Sequence, residues 1–146
     1  MIALSAFLLG IVAGLRTFTA PAALFLAKGG TAGYILAAIA LGELVGDKLP
    51  KCPSRLNPLA VMARMISGGF VGWTLAGGRR ADTLACAVLG ILGALVGTFF
   101  GHAARSAGTK KIGAIPAALV EDAVAIGLAA GVVLVLQSYG RILPLH

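Results

Sequence analysis

"IALSAFLLGIVAGLRTFTAPAALFLA", residues 2–27, is an apolar run with a single charge near its middle. A membrane-crossing helix needs about 20 predominantly apolar residues, and this run is long enough. Arg16 decides how it is read. A lone arginine at mid-bilayer costs about 2.5–3.5 kcal/mol on insertion scales, so Arg16 should face a bundle interior and meet an acid. Pro21, with Gly14 close by, can interrupt the helix. Backbone freed at such a break is tolerated only where protein or a water-filled cavity covers it. No basic segment precedes the run, and it continues past Arg16 to Ala27. A retained first membrane helix is expected rather than a signal peptide.

The rest of the chain points the same way. Its 146 residues are 59% hydrophobic and 12% charged, with a mean hydropathy of +0.99. Soluble domains carry about 25% charged residues, so a single integral membrane domain over residues 1–146 is expected. The net charge of +7 would suggest nucleic acid in a soluble protein. Here the basic residues fall between apolar runs, which favours anchoring against lipid headgroups and argues against nucleic acid. Cys52 and Cys86 form no CxxC pair and no metal-ligand cluster with His102 or His146. No metal or cofactor is expected.

Further apolar runs cover residues 32–46, 59–76, 84–104 and 112–137. With the broken first helix they predict an all-α polytopic bundle of about five spans. "LNPLA" puts Asn57 at an N-cap and Pro58 at the first helical position. Thr31 and Asp82 can cap the second and fourth helices. Gly77 and Gly78 can stop the third, and "SYG" at 138–140 can end the fifth. In this scheme Lys48, Lys51, Arg55, Arg105, Lys110 and Lys111 lie in loops on one side, against Lys28, Arg79, Arg80 and Arg141 on the other. The positive-inside rule then gives a cytoplasmic N-terminus, with Tyr34, Trp73 and Tyr139 as anchors at the external interface.

Every run carries glycines four apart: Gly10/Gly14, Gly42/Gly46, Gly68/Gly72, Gly93/Gly97/Gly101 and Gly127/Gly131. In lipid such faces drive close helix contact. They serve either one compact bundle or a homo-oligomer, a dimer first, with 93, 97 and 101 as the best dimer face. "TAPAALFLA" at 19–27 also echoes "AIPAALVED" at 114–122. That suggests half-repeats, residues 1–55 and 84–138, around a linking third helix. Halves so separated would be inverted, a plan that recurs in transporters.

The acids are few. Glu121 and Asp122 sit about ten residues into the last run, and being adjacent they point about 100° apart. One can meet Arg16; the other needs a second cation, a bound ion or a proton. Glu43 and Asp47 share one helical face, and Arg64 lies at a similar level. Lys48 and Arg55 follow in a loop braced by Pro50, Pro53 and Pro58. Arg16, Glu43, Asp47, Arg64, Glu121 and Asp122 form a predicted polar core.

"GLRTF" at 14–18, "ELVGDKLP" at 43–50, "PSR" at 53–55, "RMISGG" at 64–69 and "VEDAVAIG" at 120–127 together resemble a family of small bacterial membrane proteins known as domain of unknown function four-one-two-six. The likeness runs over nearly the whole chain. It implies a bacterial inner-membrane protein and marks Arg16, Glu43, Asp47, Lys48, Arg55, Arg64, Glu121 and Asp122 as the family-like polar set. It brings no activity with it. An intramembrane ionisable cluster is by default a functional site, so a small transporter or channel is expected. The arginines would suit an anionic or phosphate-bearing solute or lipid headgroup. The alternative is a non-catalytic scaffold held by its GxxxG faces. An enzyme is disfavoured: the chain has no HExxH, no nucleophile elbow and no phosphotransfer motif.

Overall fold

The computed structural model describes residues 1–46, 57–77 and 80–140, the side chains of Arg80 and Ala81 excepted. Among these are six helices and no strand: α1 (Ile2–Leu15), α2 (Thr19–Lys28), α3 (Thr31–Gly46), α4 (Pro58–Leu75), α5 (Arg80–Ile112) and α6 (Ala114–Ser138). Asp82–Ile112 and Ala114–Ser138 are long and apolar enough to cross a membrane, while Ile2–Leu15 and Thr31–Gly46 are shorter apolar helices.

The first apolar run is where the structure departs most from expectation. It is not one helix with a kink. Arg16 leaves α1 in an extended conformation, φ −143° and ψ 113°, and Thr19 N–H turns back to the Arg16 carbonyl at 3.3 Å. Three contacts fix the directions. Arg16 pairs with Asp122 of α6. Met1, Leu4 and Leu8 share a groove with Leu128, Val132 and Val135, so α1 runs antiparallel to α6. Gln137 Nε2 donates to the Ala27 carbonyl at 3.4 Å, so α2 runs parallel to α6. The chain therefore reverses at Arg16–Phe18, and α1 and α2 form a helical hairpin. Five spans required this run to be one continuous helix; instead it doubles back within the bundle. Met1 and the C-terminal end of α6 consequently lie at the same end of the bundle.

Two more expectations change. The echo between 19–27 and 114–122 falls on α2 and α6, which run parallel and so lend the inverted arrangement no support. What the two stretches share is a proline, Pro21 or Pro116, in the first turn of a helix, where its missing N–H costs nothing. Arg105 is also not in a loop. α5 continues unbroken for 33 residues, about 50 Å at ~1.5 Å per residue, and Gly113, at φ 91°, makes the turn into α6.

Local signals elsewhere hold. Asn57 Oδ1 accepts from Leu59 N–H at 3.1 Å ahead of Pro58, and Gly77, at φ 63°, follows α4. Asp82 lies in the first turn of α5 rather than at its cap.

Most of the bundle is held by α1, α4 and α5. A Cβ on Gly97 would lie 2.2 Å from the Ile11 carbonyl oxygen, and one on Gly90 2.1 Å from that of Gly68. The glycines of 93, 97 and 101, expected as a dimer face, are spent inside the chain against Phe7, Ile11 and Leu15. Across the bundle, Phe25 of α2 stacks on Phe70 of α4 at 5.8 Å. The interior is apolar, built on Leu9, Val12, Leu24, Val71 and Leu136, and the outer surface is apolar as well. The largest fully buried side chain is Arg16, whereas Tyr34, Ile35, Leu41, Ile66, Trp73, Phe100, Ile115 and Leu134 all stand exposed.

Candidate functional site

The reversal at Arg16–Phe18 creates a chemical problem inside the bundle. α1 ends there with unpaired carbonyls and α2 begins there with unpaired N–H groups. Each of the four remaining helices sends a side chain to it. From α3, Glu43 accepts the Thr17 N–H at Oε1 (2.8 Å) and the Phe18 N–H at Oε2 (3.0 Å). From α4, Ser67 Oγ donates to the Thr17 carbonyl. From α5, Thr98 Oγ1 reaches the Gly14 carbonyl at 3.3 Å and the Ala94 carbonyl of its own helix at 2.7 Å. From α6, Asp122 pairs with the Arg16 guanidinium.

The charges match the helix ends. A helix carries partial positive charge at its N-terminus and partial negative charge at its C-terminus. Glu43 sits at the start of α2, and Arg16 is the residue that ends α1. The break is thus stabilised at both poles by side chains of the correct sign.

Burial is complete at the centre. Arg16 is 0% exposed, and Asp122 and Arg64 are each 6% exposed. Arg64 lies three residues before Ser67 on α4, on the same face. Glu121 points elsewhere, as its adjacency to Asp122 requires. Its Oε2 accepts from Arg105 Nη1 of α5 at 3.3 Å. The second cation that the acid pair called for is therefore Arg105.

Of the predicted polar set, Arg16, Glu43 and Asp122 meet at the hairpin tip, Arg64 is buried one turn before Ser67 on α4, and Glu121 pairs with Arg105 one residue along α6. Asp47, Lys48 and Arg55 lie outside the described residues. Four contributors were not singled out from the sequence. Ser67 and Thr98 carry only hydroxyls, which a sequence offers in many places. Arg105 was assigned to a loop because the apolar run stops before it. Thr19 is the fourth. It stands in the first turn of α2, is 7% exposed, and its hydroxyl has no hydrogen-bond partner among the described residues. A helical threonine ordinarily bonds the carbonyl four residues back. Here that residue, Leu15, belongs to a helix running the other way.

Comparison with known protein families, curated proteins and solved structures finds no match.

Proposed function

We propose that this chain is a multi-pass protein of a bacterial inner membrane that moves a small polar solute, and that the hairpin tip is its gate. In this reading α3 to α6 cross the bilayer, and α1–α2 enters from one face and returns to it. The breadth of exposed apolar surface supports this placement. The best lipid-facing surface is the belt of exposed Leu, Ile, Val and Phe, and Arg16 takes the interior position that lipid would penalise. Met1 lies at the opposite end of the bundle from Lys110 and Lys111, so the charge rule now puts the N-terminus outside. That reverses the orientation a single first span implied. Kinship with the family of unknown function stays part of this proposal.

The observation that carries the reading is the break itself. A helical hairpin whose ends meet inside the bundle is costly, and a purely structural helix would run through. In membrane proteins such interruptions place backbone dipoles and charged side chains at a substrate or ion path. Arg16 at the tip, with Arg64 buried on the neighbouring α4, suits an anionic or phosphate-bearing solute. The buried, unpartnered Thr19 hydroxyl beside them is a polar group that this closed arrangement leaves unused.

One observation favours a second reading. Arg16 is fully enclosed and paired, with the ends of the break tied to all four neighbouring helices. A closed, interlocked network of this kind also suits a non-catalytic scaffold whose charges fix helix register.

The double variant Arg16→Leu/Asp122→Leu separates them. In proteoliposomes the wild type should give currents on jumps of inorganic phosphate or of pH. The double variant should keep its melting temperature and lose those currents. Wild-type currents no larger than those of empty vesicles, or currents unchanged in the folded double variant, would leave the scaffold.

A further inference from the structure

We propose that the cavity between α5 and α6 is an oxyanion site, where Arg105, held by Glu121, receives a phosphate or carboxylate group. This deepens the transport reading, and rests on it only in identifying the bound anion with the solute that moves.

The cavity measures about 200 Å³. A single water needs only ~10–15 Å³, so a small oxyanion fits together with part of its hydration. Its walls are apolar or small residues, among them Leu15, Gly101, Gly108 and Ala117, and the charged side chains lining it are Arg105 and Glu121. A mostly apolar recess with convergent polar groups is the usual form of a small-ligand site.

Arg105 is poised for such a ligand. A guanidinium carries five N–H donors in a planar fork. Among the described residues its one hydrogen bond is the 3.3 Å contact to Glu121. The side chain is 21% exposed, whereas that of Glu121 is 9% exposed. Glu121 thus engages one donor, leaving another edge of the fork for bidentate recognition of an oxyanion. Glycine at 101 preserves the room. A Cβ there would lie 2.5 Å from Leu15 Cδ2 and 3.5 Å from Glu121 Oε1.

Position adds to the case. Lys110 and Lys111 occupy the last turn of α5, beyond Arg105 on the same helix, and raise the local concentration of anions. On the inner side the cavity is lined by Leu15, the neighbour of Arg16. An anion held by Arg105 would stand next to the hairpin tip, separated from it by one side chain.

Phosphate chemistry could reach this site as a free ion or as a lipid headgroup, and two probes distinguish them. Equilibrium dialysis of labelled inorganic phosphate uses protein in phosphatidylcholine nanodiscs. Native mass spectrometry measures phosphatidylglycerol retained from mixed bilayers. For whichever probe binds, Arg105→Gln should weaken binding roughly tenfold or more, the value of a charge-assisted fork. Arg105→Lys should fall in between, and Glu121→Gln should retain or tighten binding. Ala104→Leu, which fills the cavity but leaves the ion pair, should abolish it. If Arg105→Gln does not fold, Arg105→Lys and Ala104→Leu decide the matter. Binding of neither probe by the wild type, or binding unchanged in folded Ala104→Leu protein, overturns the proposal. Flux is assayed separately through the Arg16→Leu/Asp122→Leu variant, so failure of this site and failure of the gate give different results.

Discussion

On one side of the bundle α1, α4 and α5 touch backbone to backbone. On the other, α2, α3 and α6 stand around a groove of about 600 Å³ lined by Ala22, Ala23, Ala37, Ala40, Ala129 and Ala130. Both halves carry glycines four apart, yet only one half uses them to close a seam. A Cβ on Gly10, Gly14, Gly68, Gly72, Gly90, Gly93 or Gly97 would run into backbone of a facing helix; one on Gly42, Gly46, Gly127 or Gly131 meets nothing within 4 Å. Spacing alone therefore does not mark a packed face. A seam needs small residues on both helices at matching heights, as Gly10 and Gly14 find along α5. Backbone-to-backbone packing makes the seamed half the costlier one to open. The alanine-lined half has fewer close backbone contacts to break and is where movement is available. The hairpin tip joins the two, with Ser67 and Thr98 reaching it from the seamed half and Glu43 from the open one.

The largest expected effect lies where three helices cross. Gly90 lies against α4 through Gly68 and against α1 through Gly10. Gly90→Val should cost more than about 4 kcal/mol, in the range reserved for severe core disruption, and yield no folded protein by size-exclusion chromatography in mild detergent. The same substitution at Gly127 should fold. If both variants behave alike, the two halves do not differ as described.

Next comes the tip. Arg16→Gln leaves the Asp122 carboxylate buried without its arginine, a loss of about 3–5 kcal/mol for a broken buried pair. Arg16→Leu/Asp122→Leu should recover most of it, because apolar replacement of both partners is often neutral. Thermal melts of the single and double variants test this, and a double variant no more stable than the single one would show that other groups depend on the charges.

The tip also shows what could be read in advance. That residues 2–27 break, and that Arg16 needs an acid, followed from one arginine, one proline and the cost of charge in lipid. Asp122 and Glu121 were in view for the same reason. The reversal was not, because a kink and a hairpin share one local signal and differ only in which neighbours the second half meets. The role of Glu43 was hidden for a related reason. It binds two backbone N–H groups that exist as orphans only after the chain has turned. Arg105 was misplaced because hydropathy marks where apolar residues stop, whereas the helix runs on to Gly113.

A smaller effect is expected at Glu43. Both of its oxygens accept N–H groups of the turn. Glu43→Gln keeps the shape but offers one oxygen, so an amide NH2 would face a backbone N–H. A loss of about 1–3 kcal/mol follows from the missing charge and the unsatisfied donor. Hydrogen exchange should rise at Thr17 and Phe18 first. A uniform rise across the bundle would mean that Glu43 supports more than the turn.

The smallest effect has the opposite sign and bears most directly on the open half. Gly127 and Gly131 lie in the interior of α6, and a Cβ at either position meets nothing within 4 Å. Glycine in a helix interior is less favourable than alanine by about 0.5–1 kcal/mol. In an isolated chain Gly127→Ala and Gly131→Ala should each be neutral or raise the melting temperature by a few degrees. If instead this face pairs with a second copy, the added methyl groups would hold the two helices apart. Stability would then fall with dilution, and a dimer seen by mass photometry in mild detergent would weaken. The same two substitutions made at Gly10 and Gly14 lose stability at every concentration, because their partner helix belongs to the same chain. Concentration dependence thus separates an open face from an intermolecular one, and a gain in stability with no change in mass would assign the glycine pair of α6 to lipid.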